Sequence, residues 1–179
     1  MYKFYLLLWL RWAARVSLCS LLLALLLSAL ITLYIYITQG SPVLSGEIIG
    51  ALMQITKFWF PIAWSLTLLL ALFRSIKYIF NICIAGYELK LYGCNEKEAL
   101  QEIGYGDLVG VWRKWFMLII WMVAAQMVFA LAFTYVFSDF GGVFEWFNIS
   151  WLFGFILLSG YFSFVVLANR CKRVKIKQC

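Results

Sequence analysis

The side chains that could carry out acid–base chemistry are concentrated in one stretch of this 179-residue chain. Five of its eight acidic residues lie between positions 88 and 107, and the chain contains no histidine. Two carboxylates at matched spacing can act as a general acid and a general base. Here the acids fall where helix caps and solvated helix faces are expected, which favours a charged docking surface over a catalytic pair. The candidate docking residues are Glu96, Glu98, Glu102, Asp107, Trp112 and Arg113.

Other reactive groups are sparse. The five cysteines form no CxxC pair, and without histidine the chain lacks the usual ligands for zinc or haem. Three apolar runs, at residues 16–38, 115–137 and 149–168, contain no Asp, Glu, Lys or Arg. Intramembrane proteolysis and ion-coupled transport normally need ionisable groups within the membrane-spanning segments. We therefore expect no catalytic residue, no metal and no cofactor, and a protein that is not an enzyme.

The composition indicates a membrane protein. Hydrophobic residues make up 65% of the chain and charged residues 13%, against roughly 45–50% and 25% in globular domains. Lipid is needed to cover so much apolar surface, so the bilayer is the first expected partner. We predict an all-α integral membrane protein folded as one bundle of four transmembrane helices. The predicted spans are residues 16–38, 58–77, 115–137 and 149–168.

The basic residues predict how the helices are oriented. Fourteen of the fifteen Lys and Arg residues flank apolar runs on one side, whereas the connections 39–47 and 138–148 hold none. This positive-inside bias predicts that both termini are cytoplasmic, in a bacterial inner membrane. The bases are scattered and no reading motif accompanies them, so we expect no nucleic-acid partner. No cysteine lies in an outer connection, so we expect no disulfide.

Lys57 and Pro61 define how the second span begins. A span that starts at residue 58 leaves Lys57 at the outer interface rather than within the hydrocarbon, where a charge is costly. The preceding residues 46–57 then form a short amphipathic outer helix. Pro61 lacks the N–H that would bond the carbonyl of Lys57, which predicts a kink between the two.

Residues 78–114 are the longest connection between spans, and we expect them to form a helical cytoplasmic loop. The segment 78–92 contains no proline that would end a helix. Asn95 and Glu98 form a capping-box-like pair, and Asp107 is expected to cap the helix that leads into the third span.

Small and polar residues recur at three- and four-residue spacing along the apolar runs. Such stripes let helix backbones approach closely. They serve either packing within the chain or, alternatively, a homo-oligomer or a narrow polar pore. Tryptophans near the predicted span ends are typical of an aromatic belt at the membrane surface. The packing or pore candidates are Ser17, Ser20, Ala24, Ser28, Gln126, Ala130, Thr134 and Gly154.

Two functions remain open from the sequence. In the first, the chain is a non-enzymatic membrane subunit that anchors or recruits a cytosolic or membrane protein partner through its cytoplasmic loop. In the alternative, it is a homo-oligomeric channel or a membrane-perturbing effector of the toxin-like or phage-defence type.

Overall fold

Four long helices dominate the chain. A computed structural model describes residues 2–43, 45–92, 104–137, 149–170 and 174–179. Each of the four helices is long and apolar enough to cross a membrane, which confirms the predicted number. The helices are α1 (Tyr2–Thr38), α2 (Gly46–Ser75), α3 (Tyr105–Phe137) and α4 (Ile149–Arg170).

The first two helices are longer than the predicted spans. The 37 residues of α1 begin at Tyr2 instead of residue 16. At about 1.5 Å per residue such a helix is about 55 Å long, nearly twice the hydrocarbon thickness of a bilayer. In α2, the predicted outer helix and the predicted span are joined into one helix that contains Pro61. Lys57 lies on its exposed surface, and the kink at Pro61 stays a prediction.

The chain divides into two compact units. The first, the hairpin unit, comprises residues Ala14–Arg74. The second, the sheet unit, comprises Met1–Ala13 and Ser75–Cys179. Helix α1 therefore contributes its N-terminal part to the sheet unit and the remainder to the hairpin unit.

In the hairpin unit, the small residues of α1 pack against α2. Ser20, Ala24 and Ser28, four residues apart, are fully buried, and Ser17 is half-buried. The hydroxyl oxygen of Ser20 accepts a hydrogen bond from Trp64 Nε1 (3.3 Å), and its carbonyl oxygen accepts one from the Thr67 hydroxyl (3.0 Å). The small side chains thus make room for α2 and leave backbone acceptors within its reach, as helix packing in an apolar medium requires.

The sheet unit contains β-structure where a helix was predicted. A 3₁₀ helix at Ile76–Ile79 follows α2 directly, and the strand β1 (Tyr87–Leu91) comes next. It pairs antiparallel with β2 (Val174–Gln178), in a register that places Tyr87 opposite Gln178 and Leu91 opposite Val174. The chain is mostly helical, as predicted, but the helix predicted over residues 78–92 is wrong, because a 3₁₀ helix and β1 occupy that segment. Side chains that alternate between two faces suit a half-buried strand better than a helix.

A tight turn sets up β1. Ala85 and Gly86 both have positive φ angles, of 50° and 81°, and Ile84 and Tyr87 exchange two backbone hydrogen bonds across them. Two central residues with positive φ form the type I′ turn that suits the twist of a hairpin, and glycine adopts this conformation without strain.

The remainder of the predicted cytoplasmic loop is only partly described. Asn95, Glu98 and the short helix predicted around them lie outside the described residues. Helix α3 begins at Tyr105, so Asp107 lies within its first turn and is not the residue that precedes the helix. The prediction that Asp107 caps this helix is therefore wrong.

The core of the sheet unit is built around Trp12. Its ring makes edge contacts with Trp115 at 5.8 Å and with Phe164 at 5.3 Å between centroids. Its Nε1 donates to the hydroxyl of Ser75 (2.9 Å), while Trp115 Nε1 donates to the hydroxyl of Ser163 (2.9 Å). Each buried indole N–H is therefore satisfied by a serine, so the rings are buried without the cost of an unpaired donor.

The aromatic-belt interpretation is wrong for three tryptophans. Trp12, Trp64 and Trp115 are 2%, 7% and 0% exposed, so protein and not lipid headgroup surrounds them. Trp121 and Trp151 are exposed.

Gly160 on α4 provides a test of this core. A Cβ at this position would lie inside van der Waals contact with the Trp12 ring, whereas a Cβ at Gly154 would have no neighbour within 4 Å. We expect Gly160→Ala to lower the free energy of unfolding by about 1–3 kcal/mol, as overpacking does. The measurement is the midpoint of unfolding in mild detergent, monitored by circular dichroism.

The matched control is Gly154→Ala, which adds the same methyl group to the same helix. It should leave the midpoint unchanged or raise it slightly, because alanine favours helix. Equal midpoints for the two variants would show that Trp12 does not pack on α4 as described.

Candidate interaction site

The two strands divide into an inner and an outer face. The inner face carries Leu89, Leu91 and Val174, which are buried. On this side Tyr87 makes an edge contact with Phe4 of α1 at 6.1 Å between ring centroids, and β2 packs on α4. The sheet is thus held on the helices of its own unit by apolar contacts.

The outer face, called here the basic face, is charged. The alternation of side chains along a strand brings its members to the same side of the sheet. Lys175 and Lys177 are exposed, while Lys90 and Glu88 are half-buried and joined by an ion pair of 2.6 Å. The basic face comprises Glu88, Lys90, Tyr92, Lys175 and Lys177.

Tyr92 lies beneath two of these lysines. The ammonium nitrogens of Lys175 and Lys177 are 5.2 and 5.6 Å from the centroid of its ring, within the range of cation–π attraction. The hydrogen bond from Lys177 to Tyr92 raises the pKa of this lysine above its usual value. Lys177 is therefore protonated throughout the neutral range.

A disulfide closes the sheet at its far end. Cys83 and Cys179 are bonded, with their Cα atoms 6.0 Å apart and 96 positions apart in the chain. Next to this bond, the backbone N–H of Cys179 donates to the carbonyl of Gly86 (3.1 Å). The expectation that the chain has no disulfide is thus wrong. Both cysteines are exposed, so solvent reductants and oxidants can reach the bond.

The predicted docking residues fall partly outside the described chain. Glu96, Glu98 and Glu102 are not among the described residues, and neither is the side chain of Asp107. Trp112 is half-buried on α3 and stacks on Phe116 at 4.9 Å between centroids. The next residue, Arg113, is exposed on the same helix.

The packing candidates of the third and fourth helices differ in their surroundings. Gln126 Nε2 donates to the hydroxyl of Ser159 (3.1 Å), but its buried Oε1 accepts no hydrogen bond from any described residue. The hydroxyl of Thr134 donates a hydrogen bond to the carbonyl of Ala130 in the preceding turn (3.0 Å). Gly154 is exposed and nothing packs on it.

The sequence contains a local signal for the basic face. Residues 87–91 read Tyr-Glu-Leu-Lys-Leu and residues 174–177 read Val-Lys-Ile-Lys. Strict alternation of apolar and charged residues is typical of a half-buried strand. The lysines were interpreted only as markers of membrane orientation, so their place on one surface was missed.

The basic face is a cluster of charged side chains. In the part of the chain that the structure describes, no three His, Cys, Asp or Glu residues converge as a metal site would require. The basic face instead brings three lysines to one carboxylate. Such a surface attracts anions.

Comparison with known proteins finds no relative. No family model, no curated protein and no solved structure matches the chain. Its function must therefore be inferred from its own residues and their geometry.

The disulfide leads to a direct prediction. The double variant Cys83→Ser/Cys179→Ser should unfold at a lower denaturant concentration than the oxidised protein, with a loss of about 2–4 kcal/mol, because the bond closes a long loop. Denaturant titration of the purified protein in detergent measures the loss. Peptide mapping without reductant should recover the two cysteine-containing peptides as one linked species.

The control is Cys19→Ser, since Cys19 is a free cysteine on α1. It should unfold like the unmodified protein, and reductant should lower the midpoint of both to that of the double variant. A midpoint insensitive to reductant, or a linkage of Cys83 to another cysteine, would contradict the assignment.

Proposed function

We propose that this chain is a non-enzymatic subunit of a bacterial inner membrane that anchors or recruits a protein partner. Its four apolar helices would hold it in the bilayer, and the stretch between β1 and α3 would present the docking residues. Strand β1 occupies part of the cytoplasmic loop where a continuous helix is expected, and the docking residues follow it in the chain.

One observation supports this choice above all: both flanks of the acidic stretch are held in a single compact unit. On one side, β1 is paired with β2 through five opposed residue pairs. On the other side, α3 packs on α4 through the hydrogen bond between Trp115 and Ser163. A segment whose ends are fixed loses less conformational entropy when it binds, so such an anchorage suits a docking segment.

The charge of this stretch indicates the chemistry of the partner. Residues 93–103 contain Glu96, Glu98 and Glu102 but only one base, Lys97. Opposite charges across an interface increase the rate of association and exclude partners of like charge. The proposed partner therefore presents a basic surface. Trp112 and Arg113 lie about two turns into α3, the helix that follows this stretch.

Two physical rules disagree on which side of the membrane this docking face lies. The basic residues favour the cytoplasm, whereas disulfides persist mainly in oxidising compartments. We give more weight to the charges, since fourteen basic residues flank one side and the opposite connections hold none. On this proposal the exposed Cys83–Cys179 bond is reduced in the growing cell, and it forms once the protein is isolated in air.

The channel alternative has one structural observation in its favour. Gln126 lies about two-thirds of the way along the apolar helix α3, with a buried side-chain oxygen that accepts no hydrogen bond within the described chain. A polar group in such a helix gains by pairing with another helix. Gln126 as a whole is only half-buried, so a second copy that shifts this side chain could supply the donor, which would make α3 an oligomer contact.

Charge reversal separates the two functions. The triple variant Glu96→Lys/Glu98→Lys/Glu102→Lys should insert normally but lose its co-purifying partner, because exposed charges tune association and contribute little to stability. The measurement is the amount of partner recovered with the protein from mild detergent. Glu47→Lys, which reverses an exposed acid elsewhere, should retain the partner.

The same preparations test the alternative. If the chain is a channel, liposomes that contain only the purified protein should leak ions. Gln126→Leu should then reduce both leak and oligomer size, and the charge reversals should change neither. That combination would refute the subunit proposal.

Orientation is tested by cysteine alkylation in spheroplasts. We expect an impermeant maleimide to leave Cys83 and Cys179 unmodified, with or without an impermeant reductant, and a permeant maleimide to modify both. Mass spectrometry of the two peptides gives the result. Modification by the impermeant reagent after reduction would place the sheet outside the cell with its disulfide intact.

A further inference from the structure

The basic face brings like charges together across the strand pair. Lys90 and Lys175 occupy directly opposed positions of the strand pair. Like charges in such positions destabilise a sheet. Lys177 is the next residue on the same face, opposite Glu88. Three ammonium groups thus lie within one short sheet.

Among the residues that the structure describes, the face supplies too little negative charge to balance its lysines. Its single carboxylate, Glu88, is already paired with Lys90 at 2.6 Å. Tyr92 gives Lys175 and Lys177 an aromatic surface, and its ring contacts hold both ammonium groups near one point. An anion bound there would relieve the repulsion and would meet two donors already in position.

The position of the face in the chain indicates where the anion comes from. Strand β2 begins four residues after the end of α4, a helix apolar enough to cross a membrane. Four residues span at most about 14 Å. Lipid headgroups lie at the ends of such helices, and anionic headgroups attract lysines there by roughly 1 kcal/mol each.

We propose that the basic face binds the headgroup of an anionic phospholipid, with the phosphate between Lys175 and Lys177. Lys90 adds to the positive field, and Tyr92 positions the two lysines from below. The site anchors the sheet to the membrane surface. It does not depend on the protein partner proposed above, which is assigned to the acidic stretch and not to this face.

The test uses the full-length oxidised protein in nanodiscs of phosphatidylcholine with and without phosphatidylglycerol. Native mass spectrometry counts the phosphatidylglycerol retained by the released protein. We expect retention by the unmodified chain and a loss of about tenfold or more in Lys175→Gln/Lys177→Gln, from the removal of two headgroup-facing charges. Glycerol phosphate in solution should not displace the lipid.

The matched control is Lys3→Gln/Lys114→Gln, which removes the same charge from two exposed lysines of the sheet unit that lie off the sheet. It should retain phosphatidylglycerol like the unmodified chain. Equal losses in both variants would mean a diffuse attraction and no site. Retention by the sheet variant would also overturn the proposal, as would displacement by glycerol phosphate. The proposal would also be overturned if Lys175→Gln/Lys177→Gln released a co-purifying protein while its bound phosphatidylglycerol stayed unchanged. Intact-mass analysis of the Cys83–Cys179 bond confirms that the variants are folded alike.

Discussion

The sheet unit depends on the insertion of one side chain, Trp12, among three other parts of the chain. Its ring packs on Trp115 of α3 and Phe164 of α4, and its N–H reaches Ser75 at the end of α2. Gly160 leaves the space that this ring fills. An apolar side chain gains little free energy when it moves from lipid into protein. In a membrane, such helices are therefore held together by close packing and by hydrogen bonds. The Trp12 ring packs closely over Gly160, and its N–H donates a hydrogen bond to Ser75, so this one side chain provides both.

The same pairing of tryptophan with serine recurs in both units. Trp64 donates to Ser20 in the hairpin unit, and Trp115 donates to Ser163 in the sheet unit. Serine is small enough to let helices approach and still offers an acceptor to the indole. The serine stripes of the sequence therefore act partly as acceptors for tryptophan and not only as spacers. This explains why three tryptophans are buried in protein when the sequence placed them at the membrane surface.

The helices were predictable because each depends on a local pattern, a long apolar run with charged ends. The sheet was not predicted, because its two strands lie roughly eighty residues apart and each gains its hydrogen bonds only from the other. The alternation in residues 87–91 is a local clue to a strand, but the lack of proline over residues 78–92 is equally compatible with a helix. For the candidate site, the charges of the basic face were counted correctly, yet their common surface follows from the register of β1 and β2. Cys83 and Cys179 are brought together by the same register, which sequence spacing does not reveal.

The distance between the two strands along the chain also bears on how the protein is made. A ribosome adds about 5–20 residues per second, so β1 waits about 4–17 seconds before the first residue of β2 has been synthesised. During that time its backbone donors and acceptors on one side have no strand to pair with, and a bare edge of this kind invites association with other nascent chains. The charged residues Glu88 and Lys90 in the middle of β1 discourage such pairing. The strand thus carries its own protection through the interval in which α3 and α4 are being synthesised.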